Sequence, residues 1–405
     1  MIFKNHVSWG NARAGSMTLA HGVVSTPVFM PVGTQASVKA LTPEDLLILQ
    51  AELILGNTYH LYLRPSDTLI ADLGGLQEFT RWQKPMLTDS GGYQVSSLGL
   101  FKNDEDSDRK IKAPKIDEDG VTFWSHLDGS EHRFTAEKSM QIQANLGADI
   151  IMAFDEATPD MGKEYAQTSM ERTHRWLLRS IDEWQKHEKK KTSSEPAQSL
   201  FGIIQGGNYA DLREISAKFV VKQDLPGLAI GGGSIGMDRL VTSQNVSWVR
   251  PYLDKSKPFY LMGVGVNPED LITAILDGAD MFDCVAPTRL ARTGNLYNGS
   301  LKLKSESRQD STWQVDFESK PELRYSSDFS RGRVVISQTR FTQDRGVIME
   351  GCGCYTCSAG FTRAYLRHLF KARELLYYRL ASIHNLHHMI AIVSQMRQYI
   401  HEYGT

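Results

Sequence analysis

The chain has 405 residues and a formal net charge of −2 at pH 7, which allows one large barrel or two ordinary domains. This balance gives no global sign of nucleic-acid binding, so any basic surface must be local. The sequence contains no apolar stretch of membrane-spanning length, and its first residues have no apolar core like that of a signal peptide. Four cysteines are too few for a disulfide framework in a chain of this length, and we expect a cytoplasmic protein.

Short, nearly continuous apolar runs recur along the chain and end in Gly or a polar residue. Such runs are typical of parallel strands that are buried on both faces. Helical patterns fall between most of them, beginning near Thr42, Thr135 and Asn267 and covering 164–185. The predicted strands are 26–33, 52–57, 86–89, 150–156, 200–207, 227–232, 258–265 and 281–285.

Eight strands with intervening helices predict an α/β fold, a (β/α)8 TIM barrel, with a doubly wound open sheet as the alternative. We favour the barrel because polar side chains stand at the carboxyl end of strand after strand. A barrel brings these ends together at one mouth, whereas an open sheet leaves most of them too far apart to cooperate. The side chains are those of Asn57, Asp89, Asp155, Gln205 and Asp283.

Several segments interrupt the alternation of strands and helices. The first 25 residues resemble a small hairpin cap, and 102–118 and 186–199 are charged segments predicted to be loop and linker. Residues 301–346 are polar, with strand-like pieces at 312–317 and 333–337. We predict three units. They are a barrel with its hairpin cap at 1–300, an insertion with a metal-binding subdomain at 301–384, and a C-terminal helix at 385–405 that packs back on the barrel.

Three cysteines lie within six residues near the C-terminus, and Gly353 allows a tight turn between the first two. His384 is the predicted fourth ligand, with His387 and His388 as rivals. A Cys3His set binds zinc tetrahedrally and leaves no position open for catalysis, so we predict one structural Zn²⁺ per chain. The cysteines are Cys352, Cys354 and Cys357.

A helical pattern at roughly 361–381 carries five cations and a single acid, Glu374. It is either a solvated helix face or a basic surface that binds a phosphate backbone, and its position beside the metal site favours the second. The cations are Arg363, Arg367, Lys371, Arg373 and Arg379, and the apolar residues expected to face the protein are Tyr365, Leu366, Leu369, Phe370 and Leu376.

Residues around the predicted mouth suit a purine base. The Gly91-Gly92 pair lets a ligand approach the backbone closely, and Tyr93 offers a flat face for stacking. The Asp155 carboxylate, the Gln205 amide and exposed backbone groups at 227–228 match the donors and acceptors of a guanine edge. Taken singly, Asp155 could be a helix N-cap and Gln205 a satisfied amide, but their joint occurrence favours a binding pocket.

The segment MFDCVAPTR at 281–289 places Asp283 at a strand end, shortly before Arg289 and Arg292. Guanidinium groups suit a phosphate-bearing substrate, although a buried Asp–Arg ion pair is the alternative. Two carboxylates in one pocket, Asp89 and Asp283, can divide the roles of nucleophile and general acid/base. Cleavage of an N-glycosidic bond resembles glycoside chemistry, in which a carboxylate captures an oxocarbenium-like carbon.

These motifs together resemble the tRNA-guanine transglycosylases, also called queuine tRNA-ribosyltransferases, over nearly the whole chain. The resemblance implies a TIM barrel with an inserted zinc subdomain, in a homodimer. It also implies exchange of wobble guanine in GUN-anticodon tRNAs (Asp, Asn, His and Tyr isoacceptors) for a 7-deazaguanine. The motifs are GNTYHL at 56–61, TDSGGYQV at 88–95, FDE at 154–156, IIQGG at 203–207, YLMGVG at 260–265, MFDCVAPTR at 281–289, CGCYTC at 352–357 and HNL at 384–386.

The resemblance implies that Asp283 is the nucleophile and Asp89 the general acid/base, in a ping-pong reaction through a covalent tRNA intermediate. The base-recognition set would comprise Ser90, Asp155, Gln205, Gly227 and Leu228, with Tyr93 and Met262 on either side of the ring. Arg289 and Arg292 would bind tRNA, together with Arg363, Arg367 and Lys371.

Two positions depart from the bacterial pattern. Ala157 replaces a usual Cys, and Gly232 replaces a usual Glu that would pair with the aminomethyl group of preQ1. Both changes are expected to enlarge the pocket, and a Gly resembles the queuine-using animal enzymes. We predict preQ1 as the substrate, with queuine as the alternative.

Two other classes of protein are weaker hypotheses. A non-catalytic tRNA-binding subunit would lose the acids, but Asp89 and Asp283 are both present. A zinc hydrolase would need His ligands at the mouth, where His60 is the nearest candidate.

Overall fold

The computed structural model describes residues 1–97, 112–157, 161–192, 195–233, 235–304, 311–318 and 320–405. Of the predicted loop at 102–118, residues 102–111 lie outside the described residues. The remainder includes a short strand, Lys115–Ile116.

The strands in chain order are β1 (Ile2–Trp9), β2 (Ala12–Leu19), β3 (Gly22–Thr26), β4 (Val28–Met30), β5 (Val32–Gly33), β6 (Ile54–Gly56), β7 (Met86–Thr88), β8 (Lys115–Ile116), β9 (Gly120–Trp124), β10 (Glu131–Thr135), β11 (Ile150–Met152), β12 (Ser199–Ile204), β13 (Gly227–Ile230), β14 (Phe259–Leu261), β15 (Met281–Asp283), β16 (Asn295–Tyr297), β17 (Ser300–Leu303), β18 (Trp313–Phe317), β19 (Lys320–Ser327) and β20 (Arg333–Val335). The helices are α1 (Pro43–Ile48), α2 (Thr58–Leu63), α3 (Asp67–Asp72), α4 (Gly75–Thr80), α5 (Gly92–Ser97), α6 (Ala136–Leu146), α7 (Lys163–Lys190), α8 (Ala210–Val221), α9 (Arg239–Val249), α10 (Pro268–Leu276), α11 (Ala286–Arg292), α12 (Tyr355–Ser358), α13 (Arg363–Ala372) and α14 (Leu375–Tyr403).

One parallel sheet forms the centre of the fold, in the order β4-β15-β14-β13-β12-β11-β7-β6-β5. The strands β4 and β5 are two pieces of one stretch, interrupted at Pro31, which has no N–H to donate to a ladder. β15 pairs with β4, and β5 pairs with β6, so the sheet closes on itself. The predicted (β/α)8 barrel is therefore confirmed, and the open-sheet alternative is wrong.

Apolar side chains from the strands fill the barrel, which makes the interior a packed core rather than a pore. The antiparallel sheet β1-β2-β3, which is the predicted hairpin cap, contributes to the same group of side chains. Members of this group are Met17, Met30, Leu55, Leu87, Met152, Phe201, Ile203, Tyr260 and Met281. Since the interior is closed, a ligand can reach the strands only at an end of the barrel.

The helix starts follow the predicted caps. Thr42 and Asp45 form a capping box at α1, Thr135 accepts a hydrogen bond at the start of α6, and Asn267 precedes α10. The helix predicted at 164–185 runs on to Lys190, so part of the predicted linker is helical. An ion pair from Glu183 to Lys186 and a contact from Glu183 to His187 support these added turns.

The single helix predicted at 361–381 is wrong, because α13 and α14 meet at a sharp turn. Arg373 has a left-handed backbone (φ 58°), and its N–H caps the end of α13. Leu366 and Leu369 are buried as expected, whereas Tyr365 and Leu376 are exposed. Helix α14 continues without a break through residue 384, where we predicted a domain boundary, and packs against α10 and α11.

Within the described ranges, no helix has both the length and the hydropathy needed to cross a membrane.

Candidate functional site

The mouth of the barrel, meaning the carboxyl ends of its strands, gathers the polar side chains that the sequence placed at strand ends. Asn57 donates a hydrogen bond to Asp89, and Gln205 donates one to Asp155. The nearby charge of Asp283 raises the pKa of Asp89, and that of Asp89 raises the pKa of Asp155. Three carboxylates and two amides from five different strands therefore share one buried site.

Asp89 is held by three donors. Its Oδ1 accepts from the N–H of Thr58 at 2.7 Å, and its Oδ2 accepts from Asn57 Nδ2 at 2.5 Å and Gln94 Nε2 at 3.0 Å. Burial raises the pKa of Asp89 to about 6, and the nearby charge of Asp283 acts in the same direction, while the three hydrogen bonds oppose it. A carboxyl group with this pKa can carry or release a proton near neutral pH.

Asp283 is held through only one of its two carboxylate oxygens. Its Oδ1 accepts from the Tyr260 hydroxyl at 2.5 Å and from the Gly263 N–H at 2.8 Å. Its Oδ2 accepts no hydrogen bond from the residues that the structure describes, which leaves this oxygen available to a ligand. Burial raises the pKa of Asp283 above its ordinary value, and the two donors partly oppose this effect.

Asp155 accepts from the Ser90 hydroxyl and from Gln205 Nε2, both at 2.7 Å. These contacts place its carboxylate in the mouth, not at a helix start, so the N-cap alternative does not hold. Burial raises its pKa to about 6, against the effect of both hydrogen bonds. The next residue, Glu156, has a different role, since it pairs with Arg172 and Tyr165 on α7.

Two members of the predicted base-recognition set lie elsewhere. Gly227 and Leu228 open β13 at its amino end, about 13 Å from Gly231 at roughly 3.3 Å per residue. Gly227 packs on the Phe201 ring inside the barrel, where an added Cβ would lie 2.2 Å from Cζ. The backbone next to Gln205 belongs instead to Gly231 and Gly232. The predicted strand at 227–232 already placed these two residues at its start, so their assignment to the mouth, which came from the family resemblance, is what fails.

Gly232 does not enlarge the pocket as predicted. Its φ is +70°, and a Cβ at this position would lie 2.1 Å from Gln205 Oε1. A larger side chain could therefore not be accommodated without moving Gln205. The residue is glycine because the turn and the close approach of the amide require it.

Tyr93 and Met262 lie at the same mouth. Tyr93 stands on α5 with 53% of its surface exposed, and half-buried Met262 follows β14 with its Sδ next to Gly231. Gly92 lets α5 approach closely, because an added Cβ would lie 2.2 Å from the Asp155 carbonyl oxygen. A purine ring between Tyr93 and Met262 stays a prediction.

The predicted tRNA-binding cations differ in their surroundings. Among the described residues, neither Arg289 nor Arg292 forms an ion pair, so the Asp–Arg alternative for Asp283 does not hold. Arg292 donates to the Thr288 carbonyl, and burial together with Arg289 lowers its pKa. In contrast, Arg363 pairs with Asp344 at 3.0 Å.

The other basic positions beyond α11 are likewise mixed. Arg367 donates to the Gln338 carbonyl, and Lys371 is exposed. Arg379 pairs with Asp45 of α1 at 2.6 Å, so its charge is already partly neutralised.

The predicted metal site forms one buried cluster, in which the ligand atoms of Cys352, Cys354, Cys357 and His384 lie within 4.8 Å of one another. The three Sγ atoms lie 3.8, 3.4 and 3.4 Å from His384 Nδ1. Tetrahedral zinc with ordinary bond lengths would separate sulfur and nitrogen by about 3.6 Å. The residues therefore fit a structural zinc ion, which would bind all four side chains.

His384 is oriented for this role by its other ring nitrogen. Nε2 lies 2.7 Å from the Tyr297 carbonyl oxygen, which can only accept, so the proton is on Nε2 and Nδ1 is left for the metal. His388 is engaged with the Tyr325 hydroxyl, and His387 lies outside the cluster.

A closed (β/α)8 barrel with paired carboxylates at its mouth fits an enzyme that acts on glycosidic bonds, and the buried Cys3His cluster fits a structural zinc site. The profile described as "Queuine tRNA-ribosyltransferase" matches residues 8–404. The chain belongs to this family of tRNA-guanine transglycosylases, which are pentosyltransferases.

Proteins named queuine tRNA-ribosyltransferase from three bacteria are similar over nearly the full chain. The protein from Herpetosiphon aurantiacus is 46% identical over 96% of this chain and 86% of its own length. That from Caldanaerobacter subterraneus subsp. tengcongensis is 44% identical over 96% and 90%, and that from Fusobacterium nucleatum 44% over 97% and 92%.

Proposed function

We propose that this enzyme exchanges guanine at the wobble position of GUN-anticodon tRNAs for preQ1 through a covalent bond between Asp283 and the ribose. The observation that carries the proposal is the free Oδ2 of Asp283, beside a second carboxyl group, Asp89, with a pKa of about 6. The tRNA substrates would be the Asp, Asn, His and Tyr isoacceptors.

In the first half of the reaction, Asp283 Oδ2 attacks C1′ of the ribose, and the bond from C1′ to guanine N9 breaks. Asp89 gives its proton to the departing base. In the second half, Asp89 takes a proton from preQ1, whose ring nitrogen attacks C1′ and releases the Asp283 carboxylate. Both halves pass through an oxocarbenium-like carbon that an ionised carboxylate stabilises.

Base recognition would divide between the two edges of guanine. The Asp155 carboxylate would accept from N1–H and the 2-amino group, and it is already oriented by Ser90. The Gln205 amide and the N–H groups at 232–233 would donate to O6 and N7. The N–H groups at 232–233 thus take the role that the sequence had assigned to the backbone at 227–228.

We propose preQ1 over queuine because the argument for queuine depended on Gly232. A side chain at that position would overlap Gln205, so glycine there carries no information about substrate size. The remaining motifs are typical of bacterial members, as are the similar proteins.

The test loads a GUN-anticodon tRNA with labelled guanine and supplies preQ1 or queuine as the replacement. Release with preQ1 supports the proposal, and release with queuine alone would show direct salvage. Absence of release with either base, from folded zinc-loaded protein, would favour a non-catalytic tRNA-binding subunit.

Affinity for free guanine is expected to depend on pH through Asp155. Only the ionised carboxylate can accept from N1–H and the 2-amino group with both oxygens, so affinity should fall about tenfold per unit as pH drops below a pKa of about 6. Above that pKa the affinity should level off. Calorimetric titration between pH 4.5 and 8 measures this, and Asp155→Asn should bind weakly with a flat profile. A wild-type affinity that does not change with pH would contradict this role for Asp155.

We further propose that Arg289 and Arg292 bind tRNA phosphates, with Arg363, Arg367 and Lys371 extending the surface. Arg289 is exposed on α11, the short helix that follows β15 and Asp283, which supports its role most directly. A homodimer and a cytoplasmic location complete the proposal, and the second fits a site built from thiolate ligands.

A further inference from the structure

Arg213 is a buried arginine that the exchange chemistry does not use. It lies on α8 with none of its surface exposed. Among the described residues it has no carboxylate partner, and burial alone lowers its pKa to about 9. A guanidinium ion is costly to bury without compensation, so its partners must supply it.

Those partners are backbone carbonyl groups from two turns at the mouth, together with the side-chain oxygen of Asn245, which accepts from Nε at 2.9 Å. Nη1 donates to Ile204 O at 2.9 Å and Gly231 O at 2.8 Å. Nε donates to Gly207 O at 2.7 Å, and Nη2 to Gly232 O at 3.2 Å. One side chain thus joins the turn after β12, which carries Gln205, to the turn after β13.

These contacts also fix the orientation of the peptide groups. In a trans peptide the N–H is opposite the C=O, so the N–H groups of Gly232 and Gly233 point away from Arg213. Neither N–H has a hydrogen-bond partner in the part of the chain that the structure describes. A cation on the carbonyl oxygens polarises these peptides and strengthens their N–H groups as donors.

The Gln205 side chain depends on the same turn. Its Oε1 lies over Gly232, so closely that a Cβ there would overlap it. The chain after Gln205 is pressed onto α8, since a Cβ on Gly206 would lie 2.8 Å from Arg213 N. A shift of either turn would therefore move the amide.

We propose that Arg213 is a positioning residue that presents the Gln205 amide and the N–H groups of Gly232 and Gly233 to the O6 and N7 edge of the base. This inference rests on the proposed function. It leaves the opposite edge of the base to Asp155, which keeps its hydrogen bond from Ser90 when the Gln205 amide shifts.

Two analogues separate the edges of guanine. 6-Thioguanine replaces O6 by a weaker acceptor, and hypoxanthine lacks the 2-amino group. In Arg213→Met, the preference for guanine over 6-thioguanine should fall by about tenfold, because one or two directed hydrogen bonds to the base are lost. The preference over hypoxanthine should stay within twofold. Arg213→Lys should retain part of the first preference, because lysine offers charge and donors without the guanidinium fork.

Preferences are measured as ratios of binding constants by competition, so partial misfolding of a variant does not alter them. Arg13→Met is the control, since Arg13 is largely buried, with 10% of its side chain exposed, and at the opposite end of the barrel it donates to the carbonyls of Lys255 and Lys257 and pairs with Asp280. It should lower stability without changing either preference.

Unchanged ratios in both Arg213 variants, or an equal loss of both preferences, would overturn the inference while leaving base exchange intact. Wild-type protein that binds no guanine would instead refute the proposed function together with it.

Discussion

Replacing Asp283 with Asn is expected to lower the rate of base exchange by at least about 10³-fold, because the amide cannot serve as the nucleophile that captures C1′. The variant should fold normally, since Asn keeps an oxygen for the Tyr260 hydroxyl and the Gly263 N–H. Binding of tRNA should remain within a fewfold of wild type. Single-turnover release of labelled guanine measures the rate, and a denaturation-resistant protein–tRNA band reports the intermediate.

Two further variants make the Asp283 result specific. Asp277→Asn alters another carboxyl group whose pKa burial raises to about 6, but Asp277 ends α10 away from the mouth and should exchange normally. Tyr260→Phe removes one donor to Asp283 Oδ1 and should cost about tenfold in rate. Turnover by Asp283→Asn near the wild-type rate would remove Asp283 from the nucleophile role and point to Asp89.

The sequence was sufficient to predict the barrel because its signal is local and repeated. Each of the eight apolar runs contains a strand, and the rule that parallel strands end at one mouth brought Asp89, Asp155, Gln205 and Asp283 together correctly. Such predictions need only the order of apolar and polar residues along the chain. The Cys3His cluster was predictable for the same reason, since three of its ligands are neighbours in sequence.

The errors arose where the answer depends on register or on tertiary packing. Gly227 opens its strand, as the predicted run at 227–232 implied, and its pairing with Phe201 rather than with Gln205 keeps it away from the mouth. Tyr260 went unnoticed because a tyrosine in an apolar strand suggests core. A signal was present, since the period of two in strands places Tyr260 and Met262 on the same face.

The role of Arg213 could not be predicted from the sequence. Apart from the Asn245 amide oxygen, its partners are backbone carbonyl groups, which every residue has, so residue types do not mark them. The break between α13 and α14 likewise had no sequence signal, because Arg373 adopts a left-handed conformation that is more usual for glycine.

Loss of the zinc site is the second change with a large expected effect. Cys354→Ser should reduce bound zinc from one per chain to well below that, because a serine hydroxyl does not replace a thiolate ligand. The cluster ties the segment around α12 to α14 through His384, and Thr356 Oγ1 donates to Leu380 O across the same junction. Metal binding in small zinc peptides contributes on the order of 10 kcal/mol, so several kcal/mol of unfolding free energy should be lost here.

Cys284→Ser is the matched control for the zinc site. Cys284 is also buried, but it lies after β15, where its Sγ accepts from the Ala286 N–H at 3.4 Å, and burial raises its pKa to about 12. This variant should keep a full complement of zinc and change the unfolding midpoint little. Zinc content by atomic absorption and thermal unfolding with and without a chelator distinguish the two. Full zinc in Cys354→Ser, or its loss in Cys284→Ser, would show that the ion is bound elsewhere.

Because the cluster has no position open to substrate, zinc-depleted protein that is still folded should exchange guanine at a near-normal rate.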